Sequence, residues 1–233
     1  MEGSTQTAVP LTRIQKLIAE RMLLSKRTKP CFYLQRHADV TALMADRHKF
    51  SKKLGVKVTS NAFLIRALAT AAALYPLVLG RLTGNSLDEA ELAIPEEINV
   101  GFAVNSSQGL VVPVVRQAND RSLAQIAEQE QSLTRKARSN KLTLNEIEGE
   151  AIALSNLGAY DIHSFLGIVP PAASTILAVG NVIHDVVPVA CGVAARKMMS
   201  LTLAVDGRIV DPPYAARFLQ DIAGQLEDPE QLL

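Results

Sequence analysis

Apolar residues at Leu11, Ile14, Leu17, Ile18 and Met22 repeat at intervals of three and four, which predicts an amphipathic helix with Thr12 as its cap and Pro30 as its stop. From Cys31 to Val40 the period changes to two. Phe32, Leu34, Ala38 and Val40 then share an inward face, and Cys31, Tyr33, Gln35, His37 and Asp39 share the other. Helices are predicted over Thr41 to Leu54 and Ser60 to Leu74, the second so rich in Ala and Leu that it is expected to be buried on most sides; Pro76 ends it. Beyond a polar loop at Gly84-Asn85-Ser86, Ile98 to Val104 and Leu110 to Val115 read as a hairpin turning at Asn105 to Gly109. Ser122 is the expected cap of a helix reaching about Arg138, with Leu123, Ile126, Ala127, Glu130 and Leu133 along its stripe; Leu142 to Ile147 adds a turn. Ala151 to Ser155, Thr175 to Val179, Val186 to Ala190 and Met198 to Val205 are strand candidates, and Ala215 to Leu226 is a closing helix. Strands clustered in this way predict an α+β fold, one mixed β-sheet with flanking helices and much antiparallel pairing, in a single domain over residues 11–233 behind a flexible leader, residues 1–10.

Composition narrows the function. With 233 residues, 48% of them hydrophobic, there is enough apolar material for a large core. Twenty-four basic and 23 acidic residues leave a net charge of +1, so no global field draws the chain to nucleic acid or to an anionic membrane, and neither is an expected partner. The apolar runs are too short to span a bilayer and no signal pattern opens the chain, so a cytoplasmic location is expected. Cys31 and Cys191 stand 160 positions apart, which offers neither a disulfide framework nor a metal cluster, and no metal is expected.

Several ordered segments resemble one family. Leu17 to Lys26 with Pro30, Asn99 to Val104 with Gly109 to Val115, Leu154-Ser155-Asn156-Leu157-Gly158 with Pro170-Pro171 and Ile176 to Gly180, Asp206-Gly207-Arg208-Ile209-Val210-Asp211-Pro212, and the end from Leu226 to Leu233 are similar, in that order, to the catalytic domain of the dihydrolipoyl acyltransferases of 2-oxo acid dehydrogenase complexes. The related chloramphenicol acetyltransferases share the signature around Asp206. The resemblance implies a chloramphenicol-acetyltransferase-like, trimer-forming fold, with channels between subunits that admit coenzyme A or acyl-CoA at one mouth and a partner's lipoyl arm at the other. It also implies that the apolar end, Leu232 and Leu233, docks trimers into a larger cage. No covalently bound lipoyl group is expected in this chain.

Family members move an acyl group between two thiols. A histidine base that makes the thiolate contributes about 10²–10⁴-fold, and a fixed donor to the oxyanion contributes roughly 10²–10³-fold. The resemblance puts the oxyanion donor at Ser155, 52 positions before Gly207 (207 − 155), with Asn156 beside it; the bland alternative is a strand-end serine bonded to backbone. It puts the histidine at Gly207, which has no side chain to take a proton. Asp211 matches an aspartate that organises the site through an ion pair with an arginine, Arg208 or Arg21, and Pro212 stands where the family has glycine. Cys31 matches a pocket position near the acceptor end.

Of the remaining histidines, His37 is about 20 Å along the strand from Cys31 and forms no dyad with it. His48 belongs to a solvated helix face and His184 to a turn, whereas His163 is close enough to Ser155 in sequence to reach a channel if its loop folds back. The expectation is a weakly active or non-catalytic core protein, a homotrimer or a hetero-assembly with a catalytic homologue and lipoyl-domain partners. The alternative is a standalone acyltransferase that takes an acyl thioester and an acidic acceptor needing no base.

Overall fold

The computed structural model describes residues 9–84, 86, 88–106 and 109–233. Most of the leader, Asn85 in the polar loop, and Ser107 and Gln108 in the predicted turn lie outside the described residues. The first helix, α1 (Arg13–Thr28), opens on a capping box in which Thr12 and Gln15 bond reciprocally. It is followed by β1 (Cys31–Asp39), α2 (Thr41–Leu54), α3 (Ser60–Leu74), the short pair β2 (Arg81–Thr83) and β3 (Glu91–Ala93), then β4 (Val100–Phe102), β5 (Val104–Ser106), β6 (Gly109–Val111) and β7 (Val114–Val115). Next come α4 (Leu123–Arg138), β8 (Ile152–Asn156), β9 (Thr175–Val189), β10 (Gly192–Asp206) and α5 (Pro212–Glu227). The cap at Ser122 is a second capping box, with Gln125.

Six strands form one sheet in the order β1-β10-β9-β8-β4-β7. Phe32, Leu34, Ala38 and Val40 face the main core, as the alternation predicts, together with most of α3. The opposite sheet face carries a smaller cluster of Ala153, Val169, Ala173, Ile176 and Ala204, with Cys31 and Tyr33 against it. The pairing is less antiparallel than expected, because β8 lies parallel to both β4 and β9. The predicted hairpin is divided: β4 and β7 join the main sheet, while β5 and β6 form a separate pair.

Two predicted strands, Thr175 to Val179 and Val186 to Ala190, are one 15-residue strand, and the last strand is also 15 residues long. Together they form an arm that projects beyond the sheet. The solvent-facing His184 and Asp185 interrupt the apolar run without breaking the backbone ladder. Among the described residues, no helix is long and apolar enough to cross a membrane.

Candidate functional site

Strand β8 presents Ser155 and Asn156 to opposite faces. Ile152 and Leu154 point into the main core and Ala153 into the smaller cluster, so Ser155 shares the face of Ala153. The Ser155 side chain is half-buried, and its hydroxyl has no hydrogen-bond partner among the described residues. Asn156 points to the helical layer, where its Nδ2 donates to Asn61 Oδ1 of α3 at 2.8 Å.

Asn156 lines a cavity of about 1160 Å³ between α2, α4, the start of α3 and the segment after β8. Four cations border it: Arg47, Lys57, Arg135 and Arg138. The N-terminus of α3 also opens into it, through Thr59, Ser60 and Asn61. Cations and a helix N-terminus on one cavity suit a phosphate-bearing ligand. Sequence reading missed these cations, because charges in the last turn of α4 and in the loop before α3 look like ordinary solvated positions.

The segment behind β8 folds back over β9. Asn181 N donates to Ile162 O at 2.8 Å, and Asn181 Nδ2 to Asp161 Oδ1 at 2.6 Å. This carries His163 across the sheet, where its ring meets His37 edge-on at a centroid distance of 5.7 Å. His163 therefore reaches the face that carries Ser155, but it stacks on the other histidine, two strands beyond Gly180.

Gly207 follows β10 directly, and its N–H donates to Pro30 O at 3.1 Å. Ser155 is level with Ala178 on β9, and Ala178 with Thr202 on β10. Gly207 is thus about 16 Å along the strand and about 10 Å across it from Ser155. Within one chain the two positions cannot serve one reacting centre; a site using both needs a second chain.

The ion pairing differs from the expectation. Arg208 forks onto Asp206, with Nε to Oδ1 at 2.9 Å and Nη2 to Oδ2 at 2.6 Å, on a carboxylate that is 1% exposed. Arg21 pairs with Glu150 at 3.6 Å. Asp211 takes neither arginine: its Oδ1 accepts Tyr214 N at 2.7 Å and caps α5, whose first position is Pro212. Proline fits there because a first-turn N–H has no intrahelical partner, and the cap makes Asp211 a helix-starting residue in this chain. Asp211→Ala should cost about 1 kcal/mol of stability by thermal denaturation, whereas loss of an organising ion pair would be rescued by Asp211→Glu. A cap shared by Asp211→Asn but not by Asp211→Glu is the expected pattern.

Cys31 sits opposite Asp206 in the ladder and lines a second cavity, of about 280 Å³, with Lys26, Lys29 and Tyr33. Burial, then the Asp206 charge, pushes its thiol up, which leaves it a poor nucleophile at neutral pH. Lys29 donates to the carbonyls of Pro170, Pro171 and Ala173. Burial pulls its ammonium down to about 8, against the Asp206 charge. The candidate pocket residues are therefore separated: Asn156 lines the larger cavity, Cys31 the smaller, and Arg208 and His163 line neither.

Leu232 is not available for docking. The turn Pro229–Leu232 folds it into the chain's own core, where it is 0% exposed, and Leu233 alone remains partly open. Among the described residues, no cluster of His, Cys, Asp or Glu is arranged to hold a metal ion.

Comparison with known proteins identifies the family and the fold. Residues 3–233 match the family model described as 2-oxoacid dehydrogenases acyltransferase (catalytic domain). The chain is 32% identical over 229 residues to the dihydrolipoyllysine-residue acetyltransferase component of the pyruvate dehydrogenase complex of Rickettsia felis, covering 97% of this chain and 54% of that one. It is 30% identical to the mitochondrial pyruvate dehydrogenase protein X component of Mus musculus, over 99% of this chain and 46% of that one. The chain thus spans about half the length of the curated relatives it matches.

Among solved structures it resembles the dihydrolipoamide acetyltransferase of Azotobacter vinelandii, with a TM-score of 0.90 and 30% identity over 97% of this chain and 93% of that one. There, a serine, a histidine 52 positions after it and an asparagine four positions further on were investigated for their role in the catalytic mechanism. The cubic core of a pyruvate dehydrogenase multienzyme complex matches with the same score, identity and coverage. A chloramphenicol acetyltransferase shares the fold alone, with a TM-score of 0.52 and 12% identity over 89% of this chain and 94% of that one. The chain belongs to the 2-oxoacid dehydrogenase acyltransferase family and has the fold of its catalytic domain.

Proposed function

We propose that this chain is a core subunit of the family that keeps the coenzyme A pocket and the oxyanion donor but has lost the proton-transfer step, so that it acts mainly in assembly. The observation that carries the reading is Gly207. It follows Ser155 by 52 positions and precedes Asp211 by four, the intervals that separate the serine, histidine and asparagine of the Azotobacter enzyme. A base at that position is worth about 10²–10⁴-fold, and glycine supplies none of it.

Coenzyme A fits the larger cavity by charge. Arg47, Lys57, Arg135, Arg138 and the start of α3 would take its phosphates, with Asn61 and Asn156 as polar wall. Assembly accounts for apolar surface that one chain leaves uncovered. Leu17, Leu23 and Leu24 on α1 are each half exposed or more, as are Val186 and Val193 on the projecting arm. A homotrimer, or a mixed assembly with a histidine-bearing relative, would cover them and bring one chain's Ser155 toward the next chain's Gly207. Lipoyl-domain partners follow from the same reading.

The free Ser155 hydroxyl favours a second reading. An acyltransferase whose acceptor is already an anion at neutral pH needs no base, and positioning plus oxyanion stabilisation still accelerate transfer.

Native mass spectrometry with a coenzyme A titration tests the proposal. The expected result is a multiple of three chains that binds coenzyme A and transfers acetyl from acetyl-CoA to dihydrolipoamide at least 100-fold more slowly than a histidine-bearing relative. A monomer that ignores coenzyme A, or one with a relative's full rate, refutes it. Turnover of an acidic acceptor, reduced roughly 10²–10³-fold by Ser155→Ala, would instead establish the second reading.

A further inference from the structure

One residue in the large cavity conflicts with its surroundings. Helix α4 packs through Leu123, Ile126, Ala127, Leu133 and Ala137, and Glu130 occupies the same stripe at 4% exposure. A carboxyl group at an otherwise apolar, buried position is costly unless something holds it. Here Thr59 Oγ1 donates to Glu130 Oε2 at 3.1 Å, and Thr134 Oγ1 to Oε1 at 3.2 Å. Thr59 is also the N-cap of α3 and accepts Ala62 N. The carboxyl group therefore lies at the positive end of α3, where an anion is favoured. It borders the same cavity as the four cations.

We infer that Glu130 is a specificity-determining residue of this cavity: an internal anion at the start of α3 that must take up a proton from solvent when the phosphates of coenzyme A enter. The inference rests on the reading of this cavity as the coenzyme A site. Its consequence is that the chain holds the polyanionic nucleotide half less tightly than its cations alone would allow, while the uncharged pantetheine arm is unaffected.

The charged groups that share the cavity with Glu130 are Arg47 from α2, Lys57 from the loop before α3, Arg135 and Arg138 from α4, and Asp161 from the segment after β8; of these, Arg138 acts on its carboxyl group. Arg47 is in part engaged by Ser60, and Asp161 by Asn181. Burial pushes the Glu130 carboxyl up from the usual carboxylate range, with Thr59, Thr134 and Arg138 acting against it. A group so placed is ready to gain a proton when a second anion arrives. The sign follows: affinity for coenzyme A falls as pH rises through the Glu130 titration, and the penalty is complete above it. Coenzyme A has a titrating phosphate of its own, so the informative quantity is the difference between two proteins.

Isothermal titration of wild type and Glu130→Gln with coenzyme A and with pantetheine, between pH 5.5 and 8.5 in buffers of different ionisation enthalpy, tests the proposal. The amide keeps the shape and one threonine contact, and reverses the other, its nitrogen donating to the hydroxyl. At pH 8 Glu130→Gln should bind coenzyme A about tenfold more tightly and pantetheine equally; the gap should close toward low pH, and through the Glu130 titration wild type should take up more protons than the variant. Glu130→Met, which suits the apolar stripe, should shift in the same direction. Equal or weaker coenzyme A binding by Glu130→Gln at pH 8, or equal proton uptake by the two proteins, overturns the inference and leaves the cavity reading intact. A gain in thermal stability without a change in the coenzyme A to pantetheine ratio also overturns it. Failure of wild type to bind either ligand removes the cavity reading, and this inference with it.

Discussion

Gly207→His should raise acetyl transfer from acetyl-CoA to dihydrolipoamide by about 10²–10⁴-fold. The backbone at Gly207 is outside the left-handed region, so nothing in its own conformation demands glycine. A Cβ there would lie 3.1 Å from Pro30 O and 3.3 Å from Phe32 Cδ1, so the start of β1 must give by a few tenths of an ångström. Such tightness costs about 1 kcal/mol, small beside the gain from a base. Gly207→Ala carries the same crowding without the imidazole and should show no gain, which separates chemistry from packing. The histidine variant should also acquire a rate that rises through about pH 6.5, the ordinary imidazole range. If it binds coenzyme A normally and transfers no faster than wild type, the assignment of position 207 as the lost base is wrong.

That assignment rests on the family resemblance and on intervals along the chain. Local signals were legible in the sequence: the caps at Thr12 and Ser122 and the alternation of β1 depend only on neighbours. What the sequence hid was set by distant pairing. The register that puts Ser155 level with Thr202, and so far from Gly207, is a property of three strands together. The family resemblance implied an ion pair for Asp211, whereas in the fold its carboxylate accepts Tyr214 N in the first turn of α5. The resemblance implied docking by Leu232, but a single 3-10 turn is enough to bury it. Glu130 was visible as a carboxyl group in an apolar stripe. Its partners come from 71 positions earlier and four positions later, and only folding joins them on the cavity.

Gly180→Ala should be the most damaging single methyl group in the chain. A Cβ at that position would lie 1.8 Å from His163 O, 2.6 Å from His163 C and 3.0 Å from Ile162 O. All three are backbone atoms, so no side chain can rotate away. Relief requires the segment after β8 to lift from β9, which breaks Asn181 N to Ile162 O and strains Leu157 N to Val179 O, at 2.8 and 3.0 Å. Gly158 is tied into the same crossing, since a Cβ on it would come within 2.8 Å of Gly180 O. The expected loss is at least about 3 kcal/mol, or roughly 6–12 °C in melting temperature for a domain of this size. Gly224→Ala is the contrast: it lies inside α5 with nothing within 4 Å of its Cβ, and it should stabilise by about 0.5–1 kcal/mol. Because Gly158, Ala159, Tyr160 and Asp161 wall the large cavity, Gly180→Ala should also weaken coenzyme A binding below its own melting point, whereas Gly224→Ala should not. A Gly180→Ala protein that melts within about 2 °C of wild type would mean that the segment does not cross β9 at this point, and that the cavity is walled by something else.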